Sequence, residues 1–257
     1  MRQHIFIPYV QAPAQWEELR YALRSWEKYA RFDHQIVIVG DLPDWCQNVI
    51  HIPHTPHYDG KEGEITRDAI EKMRLFLFWA KQRNISAFIR AYDDIFLLQP
   101  TELKEIGIPK AMYDMSKVIP NRTNTWRKQL WNTYYAVRQH NAHGWNMESH
   151  TPEAFGTEFM AHVMDFYQCP PNMYLTSTLY YNALFADTTF QPHILSKADK
   201  YKAGFYGSKD KYSYGPDENV REICETKMFL NFDPAGFTPQ IRDYLMAKFP
   251  TPSHYEK

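Results

Sequence analysis

Asp93 and Asp94 stand side by side between two apolar runs, Ala87-Phe88-Ile89 and Ile95-Phe96-Leu97-Leu98. Each run has the length and composition of a short buried strand, and Pro100 closes the second. Two carboxylates at the point where a core strand stops are costly. Burial penalises the ionised form, and like charges raise each other's pKa. A divalent cation is the efficient partner. Mg²⁺ or Mn²⁺ takes hard oxygen ligands, one or two carboxylates together with substrate phosphates. The alternative is a plain turn in which Asp serves as a turn former. His254, near the end of the sequence, is a candidate to complete the shell of such a metal. His150 is a candidate base, because an imidazole titrating near neutral pH can take a proton from a hydroxyl group. Tyr9 offers either a ring for a nucleobase or one more core side chain.

The elements that must position these groups follow from spacing. Residues 4–10 read as a strand. Trp16, Leu19, Leu23, Trp26 and Ala30 recur at three- and four-residue steps, which predicts a helix over 14–30 with one apolar face. Strands follow at 35–39 and 49–52, then an irregular loop over 54–60. Ile65, Ala69, Met73, Phe76, Leu77 and Ala80 predict a second helix over 64–84, ahead of the Asp-Asp strand. Strand and helix alternate at βαβ spacing, so the expected fold class is α/β, with a mostly parallel, Rossmann-like sheet flanked by helices. Ligands of such sheets bind at the carboxyl ends of the strands. Pro8-Tyr9, Gly40-Asp41 and Asp93-Asp94 all fall at such ends.

The second half reads as helical and irregular. A strand is expected at 112–115, helices at 123–138, 158–167, 175–185 and 239–249, and a Lys-, Tyr- and Gly-rich mobile loop over 201–215. The 123–138 stretch interleaves Trp126, Trp131, Tyr134 and Tyr135 with Arg127, Lys128 and Arg138. It is either an amphipathic helix with a solvated basic face, or a wall that stacks sugars or the bases of single-stranded nucleic acid.

Composition narrows the classes. The 257 residues suffice for one large core, or one core with a small lobe. Lys and Arg number 29 against 30 Asp and Glu, a net charge of −1, so no global electrostatic footprint points to nucleic acid or a membrane surface. Cys46, Cys169 and Cys224 are far apart in sequence, which supports neither a zinc site nor a disulfide framework and fits a reducing compartment. The apolar run over 75–80 is far too short for a membrane span, and the first residues lack the apolar run of a signal peptide. A cytoplasmic protein is therefore expected.

The apolar strand, acidic pair and second apolar segment resemble the metal site of GT-A glycosyltransferases. There an Asp-x-Asp motif holds a metal on the diphosphate of a sugar nucleotide. Tyr92 occupies the first acidic position here, which makes Asp94 the firmer ligand and Asp93 the second. Several further segments resemble, in order, the Stealth family of sugar-phosphate transferases. ELRYALRSWEKYARFDHQIVIVGDLPDW, from Glu18 to Trp45, is similar to the family's second block. Asp68-Ala69-Ile70-Glu71, AYDDIFLL, His150-Thr151-Pro152, LYYNALFAD, MFLNFD and the ending KFPTPSHYEK resemble later elements.

Two departures accompany that resemblance. Gln11 takes the place of the acidic residue in the family's first block, and the Arg expected between the His-Pro and Tyr-Tyr segments has no counterpart. The resemblance implies a GT-A-like core and makes Arg20 and Arg24 candidate phosphate partners, with a solvated helix face as their alternative. Tyr9 and Gln11 join Asp93 as donor-binding candidates, and His150 and Asp94 are the catalytic pair. The expected protein is a single domain over 1–257, with a nucleotide-sugar-binding half at 1–110 and an acceptor-side half at 111–257. Its expected activity is Mn²⁺- or Mg²⁺-dependent glycosyl transfer from a UDP-sugar to a glycan or other hydroxyl acceptor. Sugar-1-phosphate transfer, a glycosyltransferase acting on modified DNA, and a non-catalytic glycan-binding protein are the alternatives.

Overall fold

A computed structural model describes residues 2–11, 14, 16–56, 63–186, 188–207 and 211–257. Residues 57–60 of the loop expected over 54–60, and 208–210 of that expected over 201–215, lie outside them.

The first half alternates as its spacing predicts: β1 (Gln3–Tyr9), α1 (Glu18–Tyr29), β2 (His34–Gly40), β3 (Ile50–Pro53), α2 (Glu64–Lys81) and β4 (Ala87–Arg90). These strands form a parallel sheet in the order β3-β2-β1-β4, and β4 carries one antiparallel neighbour beyond it. Strand order reverses between β1 and β4, the position at which open α/β sheets leave a crevice. Alternate residues serve opposite faces, and helices cover both, which is why the strands read as continuous apolar runs. Phe6, Val37, Val39 and Phe88 pack on one face with α2 residues such as Met73 and Phe76. Ile5, Ile7, Ile36, Ile38 and Ile89 pack on the other with Leu19, Leu23 and Trp26 of α1.

α1 begins later than its apolar periodicity predicts. Trp16 stacks on Tyr21 at 4.5 Å and its backbone N–H donates to the Glu18 carboxylate at 3.0 Å. The ring therefore folds back onto the helix instead of extending it.

After β4 the chain turns at Asp93-Asp94 into β5 (Ile95–Leu97), which leaves the first sheet. Then come α3 (Leu103–Ile106), β6 (Lys110–Ala111), β7 (Tyr113–Asp114), α4 (Thr125–Arg138), β8 (Trp145–Asn146), β9 (Glu153–Gly156), α5 (Thr157–Phe166) and α6 (Thr176–Leu184). The chain closes with β10 (His193–Ile194), β11 (Lys202–Phe205), α7 (Val220–Glu225), β12 (Phe229–Phe232) and α8 (Pro239–Lys248). β9 is the antiparallel strand beside β4, with Glu153 opposite Arg90. A second sheet runs β11-β12-β5, parallel between the first pair and antiparallel between the second. Of the strand expected at 112–115 only Tyr113–Asp114 is strand, β7, which pairs with β8; β6 lies just before it and pairs with β10.

The Lys-, Tyr- and Gly-rich stretch is not loop throughout. Its first part is β11, whose four residues are all buried. Gly204 lowers its strand propensity and Lys202 breaks its apolar run, so the sequence hides it. A Cβ on Gly204 would lie 2.8 Å from Cε of Lys202, so that side chain would have to shift to admit one.

The C-terminal residues dock on the first half. Tyr255 is buried in the α1 face of the core, the Tyr255 carbonyl accepts from Gln47 N–H at 2.8 Å, and the Lys257 N–H donates to the Trp45 carbonyl at 2.9 Å.

Candidate active site

The Asp93-Asp94 turn floors a cleft of about 340 Å³ at the reversal of strand order. Pro8 at the end of β1, Arg90 and Tyr92 before the turn, Met73 of α2, Trp126 of α4 and the segment carrying Glu148 and His150 contribute walls. The volume falls in the range of small-molecule sites.

The two carboxylates resist ionisation. Burial raises Asp93 to about 7, with the charge of Glu18 adding to the effect and Lys72 opposing it. Burial lifts Asp94 well above the usual carboxylate range, and the neighbouring Asp93 lifts it further. One oxygen of Asp94 accepts from the Asn231 amide of β12 at 2.7 Å, and Tyr206 donates to that same amide's oxygen at 2.6 Å. A neutral amide steadies the carboxylate without compensating its charge. Such a pair, open on one side to a cleft, fits a hard divalent cation that takes its remaining oxygens from substrate phosphates. Among the described residues, no group of three or more His, Cys, Asp or Glu side chains is gathered to hold a metal.

Cationic side chains stand around the pair. Arg90 is buried, donates to Glu153 at 2.7 Å and Thr176 at 2.6 Å, and also bonds Ser177. Lys202 lies 5.2 Å from the ring centre of Tyr206 and draws the Asp94 pKa down. Lys72, fully buried in α2, donates to Asp68 at 2.6 Å and to the Tyr9 carbonyl at 3.0 Å. Gly40 makes room for that contact. Its φ is +125°, and a Cβ there would sit 2.0 Å from the Tyr9 oxygen.

His150 reaches the cleft from a left-handed backbone position, φ 51°, a conformation that marks functional or tightly constrained residues. Burial lowers its pKa to about 3, with Lys202 and Arg90 adding to the effect. The imidazole is thus held neutral, a hydrogen-bonding group at physiological pH with little proton affinity. Glu148 shows the opposite shift. Burial raises it, Arg90 opposes, and Glu153 raises it further. Its carboxylate accepts from the backbone N–H and hydroxyl of Thr178, at 2.9 and 3.0 Å, in the first turn of α6.

The remaining sequence candidates go elsewhere. Tyr9 is a core side chain, with its hydroxyl pKa raised by burial and by Asp93. The Gln11 backbone N–H donates to Asp41 at 2.8 Å, and its side chain is exposed. Arg24 donates to both oxygens of Glu256 at 2.7 Å and to the Phe249 carbonyl at 2.9 Å, one bond from each guanidinium nitrogen. Arg20 pairs with Glu17 at 2.7 Å and lies over Trp45, and His254 bonds Glu27. Arg20, Arg24 and His254 therefore fasten the tail to α1 and the loop after β2, and none of them lines the cleft. Glu18, Arg90, Glu148, Lys202, Tyr206 and Asn231 escaped the sequence reading. A lone polar residue inside each of the apolar strands AFIR, KAGF and FLNF was the available signal for Arg90, Lys202 and Asn231.

No family profile matches the chain. No curated protein matches it. Among solved structures, the chain is similar to apo mouse xyloside xylosyltransferase 1, with a TM-score of 0.40 and 9% identity, over 93% of this chain and 100% of that one.

Proposed function

We propose that the chain is a glycosyltransferase that moves a sugar from a nucleotide-sugar donor to a hydroxyl acceptor, with Asp93 and Asp94 as the ligands of a divalent cation. The carrying observation is the carboxylate pair itself: two part-buried acids at the switch point of a parallel sheet, raised in pKa and facing a small-molecule cleft. A cation held there would neutralise charge on a donor diphosphate as its bond to the sugar weakens.

The chain's own groups supply the rest. Asn231, held by Tyr206, fixes the rotamer of Asp94. Arg90 and Lys202 add positive potential, which favours phosphate in the cleft. Glu148, with its raised pKa and its anchor on α6, is the candidate to receive the acceptor's proton. His150, neutral, is better suited to orient a hydroxyl than to deprotonate it. On this reading residues 1–110 carry the donor side and 111–257 the acceptor side.

Sugar-1-phosphate transfer is the competing reading, drawn from the Glu18–Trp45 block and the ending. Arg20 and Arg24 of that block and Glu256 of the ending are engaged with one another. A shared structural clasp accounts for their resemblance without shared chemistry. The leaving nucleotide separates the readings. The full chain is incubated with UDP-sugars, Mn²⁺ and hydroxyl acceptors, and the product is resolved by chromatography. Glycosyl transfer releases UDP and stops with EDTA. Release of UMP would establish phosphate transfer, and donor binding without either product would leave a glycan-binding protein.

A further inference from the structure

A second hollow, of about 420 Å³, runs along α4 beside the cleft. Its wall on the helix is built by residues at helical spacing, Gln129, Asn132, Tyr135 and Gln139 among them, which recur on one face. Thr125 begins this wall and Gln139 ends it, a length of about 20 Å at the rise of an α-helix. The opposite wall is the segment through Asn172 and Tyr174. Two links join this groove to the cleft. Tyr174 lines both hollows. Thr66, in the cleft wall, donates to Gln129, in the groove wall, at 2.7 Å.

The lining has a definite chemistry. Four side-chain amides line it, and an amide pairs donor with acceptor as a sugar hydroxyl does. Gln129 is buried and accepts from Thr66, and Asn172 donates to the Tyr167 carbonyl at 3.0 Å, so Asn132 and Gln139 are the two amides exposed to a ligand. Tyr135, 44% exposed, and Tyr174 add aromatic rings to the lining, with the Arg122 guanidinium over the Tyr135 ring at 5.5 Å from its centre. Among the described residues that line it, Lys128 is the one charged side chain and none is a carboxylate. A single-stranded nucleic acid needs a groove that tracks its backbone with positive charge, and one lysine over about 20 Å does not provide it.

We infer that this groove binds a linear, neutral oligosaccharide and feeds its end to the cleft, so that the acceptor is an extended glycan chain and not a free monosaccharide. The inference rests on the glycosyltransferase reading for its direction toward the cleft, but groove binding can be tested without donor or turnover. Asn132, Tyr135 and Gln139 are exposed, so replacing them leaves the core intact.

The test is saturation-transfer NMR and calorimetry on the full chain. The probes are maltohexaose, cellohexaose, xylohexaose and chitohexaose, their monosaccharides, and a ten-residue oligothymidylate. The expected result is binding of at least one hexasaccharide, stronger than its monosaccharide, weakened about tenfold in Tyr135→Ala. The same loss is expected in Asn132→Ala combined with Gln139→Ala. Asp94→Asn should bind the hexasaccharide as the wild type does while losing Mn²⁺-dependent UDP binding. Hexasaccharide binding without any UDP binding would sink the glycosyltransferase reading and keep the groove. Failure of every hexasaccharide, binding indifferent to the Tyr135 variant, or preference for the oligothymidylate would overturn the groove assignment.

Discussion

Asp94 illustrates how a fold can oppose the charge its site needs. Burial and Asp93 favour its protonated form, and its amide partner does not reverse this. Because both folded-state pKa values lie above the unfolded ones, the folded chain holds protons that the unfolded chain releases from about pH 4 upward, for Asp93 up to about pH 7. The pair's contribution to stability therefore falls as pH rises through that window. In metal-free protein Asp94→Asn should be the more stable form at pH 8, by about 1 kcal/mol after discounting for partial exposure, or roughly 2–4 °C in Tm. The difference should shrink toward pH 4. Mn²⁺ at pH 8 should raise the wild-type Tm and leave the variant unmoved. A variant that melts lower than wild type at pH 8 would mean that something in the chain already pairs with the carboxylate. Nearby, His150 should stay neutral from pH 5 to pH 8, since burial and two cations set its pKa at about 3. Nitrogen-detected imidazole NMR checks this, and a midpoint near 6.5 would contradict it. Glu148→Gln should lower kcat about 10²- to 10⁴-fold with KM little changed, if the carboxylate receives the proton.

At the scale of elements, the first half of the chain was legible because its strands are apolar on both faces and its helices on one. Ile36 and Ile38 against Val37 and Val39 give the continuous run of a parallel strand, and Leu19, Leu23 and Trp26 give the helical stripe. The Asp-Asp turn was legible for the same reason, being the one break in two such runs. What stayed hidden was the second sheet. Lys202 and Gly204 disguise β11, and Asn231 interrupts β12; Asn231 donates to the Asp94 carboxylate and the Lys202 charge acts on it, contacts that an apolar strand pattern does not announce. Arg20 and Arg24 misled in the opposite direction: their pattern is a solvated or ligand-binding one, and only the distant Glu256 shows what they hold. Gly40 carries a prediction at this scale. Its carbonyl-crowded, left-handed position closes β2 against β1, so Gly40→Ala should cost about 3 kcal/mol or more in urea denaturation. It should also disturb the Lys72 contact to the Tyr9 carbonyl. Wild-type stability in that variant would show that the strand end relaxes freely.

For the whole molecule, the tail clasp joins positions over 230 residues apart, with Arg24 and Glu256 hydrogen-bonded through two oxygens at 2.7 Å. Both side chains are nearly buried, at 10% and 6% exposure, so breaking the pair leaves an uncompensated charge. Glu256→Ala should therefore destabilise the chain by about 3 kcal/mol, and Arg24→Lys with Glu256 in place should also destabilise it, since one ammonium cannot make the fork. Burial alone would raise the Glu256 pKa, but the bond to Arg24 and the Ser253 N–H outweigh it and hold it low. A lowered folded pKa gives stability that is complete above the unfolded value and fades as pH falls through the folded one. The gap between wild type and Glu256→Ala should accordingly narrow below about pH 4 in chemical denaturation series. A constant gap down to pH 3 would remove the electrostatic account. The described residues include no helix long and apolar enough to cross a membrane.

The Asp93-Asp94 turn leaves the first sheet at β4 and enters the second at β5, while Asn231 reaches it from β12. A ligand that fastens the two carboxylates thereby fastens a joint between sheets. Its imprint should appear far away in sequence, as slower backbone deuterium uptake along β11 and β12 as well as in the turn. The edge strand β3, which shares no bond with this joint, should exchange at its original rate.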